Sequence, residues 1–491
     1  MTGISWLRRL PFPPWAVAIL MAAVTLLLRG QTFGNPALHV DEQFYLLVGD
    51  RMLHGAIPYV DIWDRKPIGL FLVYAAACAP GGDGVLHYQL LAALSVACTA
   101  GLVVRISARI ASNMSAILAG VAYIAWLNLA GGDGGQAAVF HNLPMALAAL
   151  LLVRMIEAPA PSTSRLRFHG AAAMLLVGCA MQIKYNAMFE GMFFGLALLW
   201  KLHRSREKPG SLLAHGLLWM ACALLPTTAA LSVYAMMGHL PEFIFANFLS
   251  IGARGTAPVG AVVVRFLILA AILSPLLAGA GLTFFRRGKQ MSPVAMFILL
   301  WLVTAVGAVI AFGTYFISYC LPVLVPATIA ASPAFDRGRV VPRIGVAILV
   351  LAIIMGQFVL NATRHAKGDR ADIEAMARMV RRQPGCLFVY DGHPILYYLS
   401  GACLLSRFAF PGHLNQKTEE HAVGVDVVAE TRHILAQHPG TIATVHPSWN
   451  EGNPDTARIV DAALHREYRL IYSVRTGDRV RSLYAFRHER E

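Results

Sequence analysis

Apolar residues run along this chain in long blocks separated by short polar loops. Blocks at roughly 14–30, 86–104, 114–130, 142–157, 169–183, 187–200, 212–235, 262–285, 293–312, 316–334 and 344–362 each approach the ~20 residues that cross a bilayer as helix. A shorter run, Pro67 to Pro80, is bounded by prolines and reads as a juxtamembrane element. After residue 362 the pattern changes to alternating helix and strand: a helix at Arg370–Arg382, strand-like CLFVY at 386–390 and TIATV at 441–445, and two more strands at 468–474 and 480–486. The predicted fold is therefore a membrane all-α polytopic bundle of about 11 transmembrane helices over residues 1–362, followed by a C-terminal soluble α/β domain over 363–491. No internal repeat is visible, so a transporter built from detectable duplications gains no support.

Composition agrees with this pattern and charge orients it. Of 491 residues, 57% are hydrophobic and 14% charged, with mean hydropathy +0.57. If 67–80 does not cross, every basic cluster falls on the side of the N-terminus: Arg8/Arg9, Arg105/Arg109, Arg154/Arg165/Arg167, Lys201/Arg204/Arg206/Lys208, Arg286/Arg287/Lys289 and Arg337/Arg339/Arg343. The positive-inside rule then makes this a multi-pass cell-membrane protein with a cytoplasmic N-terminus and an extracytoplasmic C-terminal domain. The first run follows Arg8 and Arg9 without a small-residue cleavage site, so it is expected to be a retained span. The formal charge of +14 is spread over these loops and forms no stripe on one domain, which argues against nucleic acid. Cys386 and Cys403 lie in the polar tail and could pair in an oxidising compartment.

One segment departs from the pattern. The outer loop 31–85, directly after the first span, contains Asp41, Glu42, Asp50, Arg51, Asp61, Asp64, Arg65 and Lys66. Asp41 and Tyr45 fall on one helical face at i, i+4, and Lys66 is followed at once by Pro67 and the interfacial run. Carboxylates and a cation are thus placed at the boundary between water and hydrocarbon, where charge is costly and usually functional.

These residues carry a resemblance. DEQFY at 41–45, the Gly55-x-x-Pro58-Tyr59 element and Asp64-Arg65-Lys66-Pro67-Ile68 resemble the first outer loop of the GT-C membrane glycosyltransferases, in particular the protein O-mannosyltransferase and aminoarabinose transferase-like group (glycosyltransferase family 39-like). The resemblance implies an enzyme that takes a sugar from a polyprenyl-phosphate donor and passes it to an acceptor hydroxyl on the outer face, with inversion. It implies Asp41 as base, Glu42 and Tyr45 as residues shaping the site, and Lys66, with Arg65 in support, on the lipid phosphate; Tyr59 and Asp64 belong to the same substrate-binding set. The acceptor would be a cell-envelope lipid, glycan or protein. Weaker echoes at QIKYNAMFE (182–190) and YFISYCLPVLVP (315–326) add Lys184, Tyr185, Tyr315 and Tyr319. The family's Pro-Pro-Leu is here Pro67-Ile68-Gly69, and where many members carry an acid in the second outer loop this chain has His141 and Asn142, with Asp133 about eight residues earlier as a substitute.

Some residues also have a plainer reading. Lys184 at the end of a span can snorkel. Tyr315 and Tyr319, predicted to share a helical face, can be interfacial anchors. His393 beside Asp391 sits in an Asp-Gly turn signal. Metal-binding helix motifs, phosphate-binding strings and nucleophile elbows are absent from the sequence, so no cofactor is expected, with a divalent cation left open. The alternative function is a transporter or flippase of a lipid-linked sugar, which needs charges deep inside the spans; Glu190 is the main candidate. A third reading is an inactive scaffold whose tail binds cell-wall polymer.

Overall fold

A computed structural model describes residues 13–159, 162–287, 290–336, 340–448 and 452–487. Arg8, Arg9, Lys289, Arg337 and Arg339 of the basic clusters, and the side chains of Arg286 and Arg287, lie outside the described residues. Two compact units are present, one formed by Met1–Gln31, Leu90–Ala230 and Val259–Leu360, the other by Thr32–Gln89, Leu231–Pro258 and Asn361–Glu491.

The first unit is a helical bundle. Among the described residues of the whole chain, 8 helical segments are long and apolar enough to cross a membrane, and the chain is a multi-pass membrane protein. The remaining predicted spans are also helical, as Asn113–Leu129, Thr163–Met181 and Ala187–Arg204, but the first has 17 residues and the other two fall short in apolarity. Small residues let these helices approach closely. A Cβ at Gly120 would meet Val104 and Met21, and one at Gly178 would meet Ala223 and Pro226. Arg29, at the end of the helix Pro14–Arg29, is fully buried. Its guanidinium donates to the Gly132 and Gly134 carbonyls at 2.6 and 2.7 Å, so it fixes the loop that carries Asp133.

In the second unit, the acidic segment forms the helix Val40–Leu53 and the proline-bounded run forms the helix Ile68–Cys78. They pack with Gly49 at their contact; a Cβ there would lie 2.5 Å from the Ala75 nitrogen. The tail supplies a four-stranded sheet in the order β1-β2-β4-β3, where β1 is Leu387–Val389, β2 Thr441–His446, β3 Tyr468–Thr476 and β4 Arg479–Phe486. β1 and β2 are parallel, with Leu387 opposite Thr441, while β2–β4 and β4–β3 are antiparallel. The strands and the helix Arg370–Arg381 match the sequence pattern. The helices Ile395–Ser400, Val427–Ala436 and Pro454–Glu467 were not read from it, though Asp426 and Asn453 cap the last two with their side chains. Cys386 and Cys403 form a disulfide.

Candidate active site

Asp41 and Glu42 occupy the first turn of the helix Val40–Leu53, where the positive end of the helix dipole favours carboxylates. Glu42 is fully buried and Tyr45 nearly so, whereas Asp41 is half-buried. The Tyr45 ring lies 5.5 Å from that of Tyr74 and 6.2 Å from that of Phe71, so the floor beside Asp41 is aromatic.

The following loop reverses through Gly55 (φ 92°) and Tyr59 (φ 72°). A non-glycine residue in the left-handed region is strained, and Tyr59 is held there from several sides. Its N–H donates to the Ile62 carbonyl at 2.7 Å and its hydroxyl donates to the Lys66 carbonyl at 2.8 Å. Its buried ring packs between Phe71, Tyr234 and Phe243, with centroids 5.4–6.2 Å apart. The Tyr59 hydroxyl thereby holds the backbone at Lys66.

Asp64 is 7% exposed and accepts from the Arg65 N–H at 2.6 Å. Burial pushes its carboxyl above the usual range; the Lys66 charge opposes this and the Asp41 charge adds to it. Asp41 and Lys66 are thus each within electrostatic reach of Asp64.

The adjacent cations are treated differently. Arg65 forks onto Glu419, with Nη1 to Oε1 at 3.0 Å and Nη2 to Oε2 at 2.5 Å, while Arg254 Nε reaches the same carboxylate at 2.8 Å. Burial alone would raise the Glu419 pKa, but its bonds and charges from Arg65 and Arg254 outweigh burial and hold it below the usual range. Lys66 forms no hydrogen bond or ion pair among the described residues, and its Nζ stands 6.0 Å from the Tyr45 ring centroid. His413, buried against Trp63 at 4.7 Å, is kept neutral by burial and by the Arg65 and Lys66 charges, which push its pKa well below the usual value. The second unit therefore presents a half-exposed carboxylate and an uncommitted ammonium over an aromatic floor. That set can polarise a hydroxyl and accept an anion.

The other predicted residues gather in the first unit. Lys184 Nζ lies 4.8 Å from the Tyr319 ring centroid, and its charge acts on His141, Glu190 and Cys320. Tyr185 follows Lys184 in the turn between the helices Thr163–Met181 and Ala187–Arg204. Asp133 is buried in the loop that Arg29 holds. Two expectations are corrected. His141 is not in a loop: the helix starts earlier, at Ala137, and buries His141 completely, with Nδ1 3.2 Å from Asn142 Oδ1. Tyr315 and Tyr319 do not share a helical face. Gly313 (φ 66°) ends the preceding helix and Tyr315 is itself left-handed (φ 49°), so helical structure resumes only at Ile317, as a 3-10 turn. Tyr315 packs on Phe266 instead, at 5.1 Å.

His393, set aside on the sequence, is structural. Its Nε2 accepts from Arg481 Nε at 3.0 Å and its Nδ1 meets the Gln43 amide. Sequence reasoning missed Glu419 and Arg254. The only signal was Arg254 as an isolated cation in an otherwise apolar outer segment; Glu419, in KTEEH, looks like any solvated acid.

The chain shares its fold, a polytopic helical bundle with a small C-terminal sheet, with solved proteins. It is similar over 96% of its length to 97% of the structure of ArnT from Cupriavidus metallidurans bound to undecaprenyl phosphate, with a TM-score of 0.60 at 16% identity. The apo structure of the same protein gives the same values. Archaeal oligosaccharyltransferase AglB from Archaeoglobus fulgidus, in complex with an inhibitory peptide and a dolichol-phosphate, is similar with a TM-score of 0.53 at 11% identity, covering 97% of this chain and 74% of that one. No protein-family model and no curated protein matches the chain in sequence.

Proposed function

We propose that the chain is an integral membrane glycosyltransferase that transfers a sugar from a polyprenyl phosphate to an acceptor hydroxyl on the outer face, with inversion. The observation that carries this reading is the uncommitted Lys66 ammonium beside the turn that bears Asp41, next to an Arg65 already held by Glu419. In the reaction Asp41 takes the acceptor proton as the acceptor oxygen bonds to the anomeric carbon. The bond from that carbon to the phosphate oxygen breaks, and its electron pair stays on the phosphate. Lys66 meets the charge that grows there. Glu42 and Tyr45 shape the site, and Tyr59 sets the backbone from which Lys66 projects.

ArnT's complex with undecaprenyl phosphate and AglB's with dolichol-phosphate support a lipid-phosphate donor. The Cys386–Cys403 disulfide in the tail and the one-sided placement of the basic loops support an outward-facing site. The sugar is a hexose or a pentose, and the acceptor a lipid, glycan or protein of the cell envelope. Within the first unit Lys184 lies against the Tyr319 ring, and no metal is assigned a role.

The test is Asp41→Asn in purified protein given polyprenyl-phosphate sugars, with donor loss followed by mass spectrometry. Turnover should fall on the order of 10²–10⁴-fold while lipid-phosphate binding persists. Wild-type turnover in the variant removes Asp41 as base.

A further inference from the structure

Glu419 is 4% exposed, yet it lies at the meeting point of three chain segments. Arg65 reaches it from the first outer loop and Arg254 from the segment after residue 231. Beside it the Thr418 carbonyl accepts from the Gly255 N–H at 2.8 Å. The Lys66 charge also acts on Glu419. Three cations are therefore grouped around one carboxylate, and only Lys66 among them is left without an ion pair among the described residues.

The proposed chemistry makes this grouping consequential. The donor is a phosphodiester with one negative charge, whereas the lipid product is a phosphate monoester with a charge of about −1.5 to −2 at neutral pH. A site with three unbalanced cations binds the more highly charged product more tightly than the donor, and so retains it. Binding that favours product over transition state slows turnover.

We propose that Glu419 is a positioning residue that holds Arg65 and Arg254 and cancels one of their two charges, leaving Lys66 as the cation without an ion pair that is offered to the lipid phosphate, and so allowing the monoester product to leave. This rests on the glycosyl-transfer reading above. Arg65 is thereby reassigned from phosphate ligand to structural partner.

The experiment measures binding of a polyprenyl monophosphate, and of its singly charged methyl phosphodiester, to the full-length protein in detergent. Removing one unit charge at roughly 10 Å with an effective dielectric near 20 alters affinity for one extra ligand charge by on the order of ten-fold. Glu419→Gln should therefore tighten binding of the singly charged diester on the order of ten-fold and of the monophosphate by up to about ten-fold more, and should lower the donor KM and kcat together. The charge-balanced Arg65→Gln/Glu419→Gln double variant removes both ends of the ion pair, should bind the monophosphate as the wild type does, and is read by itself if the single variant does not fold. Unchanged or weaker monophosphate binding in Glu419→Gln overturns the proposal. So does a tenfold loss in the double variant, which would return Arg65 to the phosphate. Failure of the wild type to bind the monophosphate at all overturns the glycosyl-transfer reading as well, whereas binding by the wild type without tightening in Glu419→Gln overturns this inference alone.

Discussion

Replacing Lys66 with methionine removes the ammonium and keeps an unbranched apolar stem over the Tyr45 ring. An ammonium about 4 Å from one phosphate charge is worth on the order of 4 kcal/mol at an effective dielectric near 20. Desolvation removes much of that, and a charge-assisted hydrogen bond contributes about 1.5–3 kcal/mol net, so lipid-phosphate affinity should weaken roughly 10–150-fold. No neighbour can substitute, because the Arg65 guanidinium is occupied by both Glu419 oxygens. Phosphate charge grows as the glycosidic bond breaks, so kcat should fall by a further factor of about 10²–10³. The fold should tolerate the change: Tyr59 bonds the Lys66 backbone carbonyl, which methionine retains, and an exposed cation–π contact is worth about 0.5–1 kcal/mol. Affinity is read by calorimetry with a polyprenyl monophosphate and turnover by mass spectrometry. Affinity within about twofold of wild type, in a variant with an unchanged thermal midpoint, refutes the assignment.

Tyr59→Phe should cost about 0.5–1.5 kcal/mol in denaturant unfolding through the lost bond to the Lys66 carbonyl. It should also lower turnover several-fold by loosening Lys66; unaltered kinetics would separate Tyr59 from the site. His393 makes stability depend on pH. Burial, followed by the Arg481 and Lys367 charges, lowers its folded pKa to about 3, against ~6.5 unfolded. The unfolded chain therefore binds the extra proton first, so the contribution is intact above pH ~6.5 and is lost as pH falls toward 3. Between pH 6.5 and 5 the loss is about 2 kcal/mol, and His413, also shifted down, acts in the same direction. Thermal midpoints should fall over that interval, and His393→Gln should flatten the decline; an equal slope in the variant counts against His393.

Much of the architecture was legible in local sequence. Apolar blocks of spanning length stay helical because a helix satisfies its own backbone in lipid, and the tail strands followed from period-two runs such as TIATV at 441–445. The charged segment 41–66 was also conspicuous against its apolar flanks. Local pattern failed where backbone geometry intervenes. Residues 315–326 continue an apolar run, but the left-handed conformations at Gly313 and Tyr315 break the helix that would have put two tyrosines on one face. Helix starts were also uncertain by several residues, which left His141 in a loop when it belongs to a buried turn.

Tertiary structure alone decided which cation is available. Arg65 and Lys66 are adjacent and equally basic in sequence, and what separates them is a carboxylate 354 positions away from Arg65. Nothing local to DRKP, or to KTEEH, encodes that pairing. It follows from the close approach of three segments, where a partly buried guanidinium must find an acceptor and a buried carboxylate a donor. The sequence set the residue types and their spacing along each element, and the fold set which charges cancel and which one stays available for an anion.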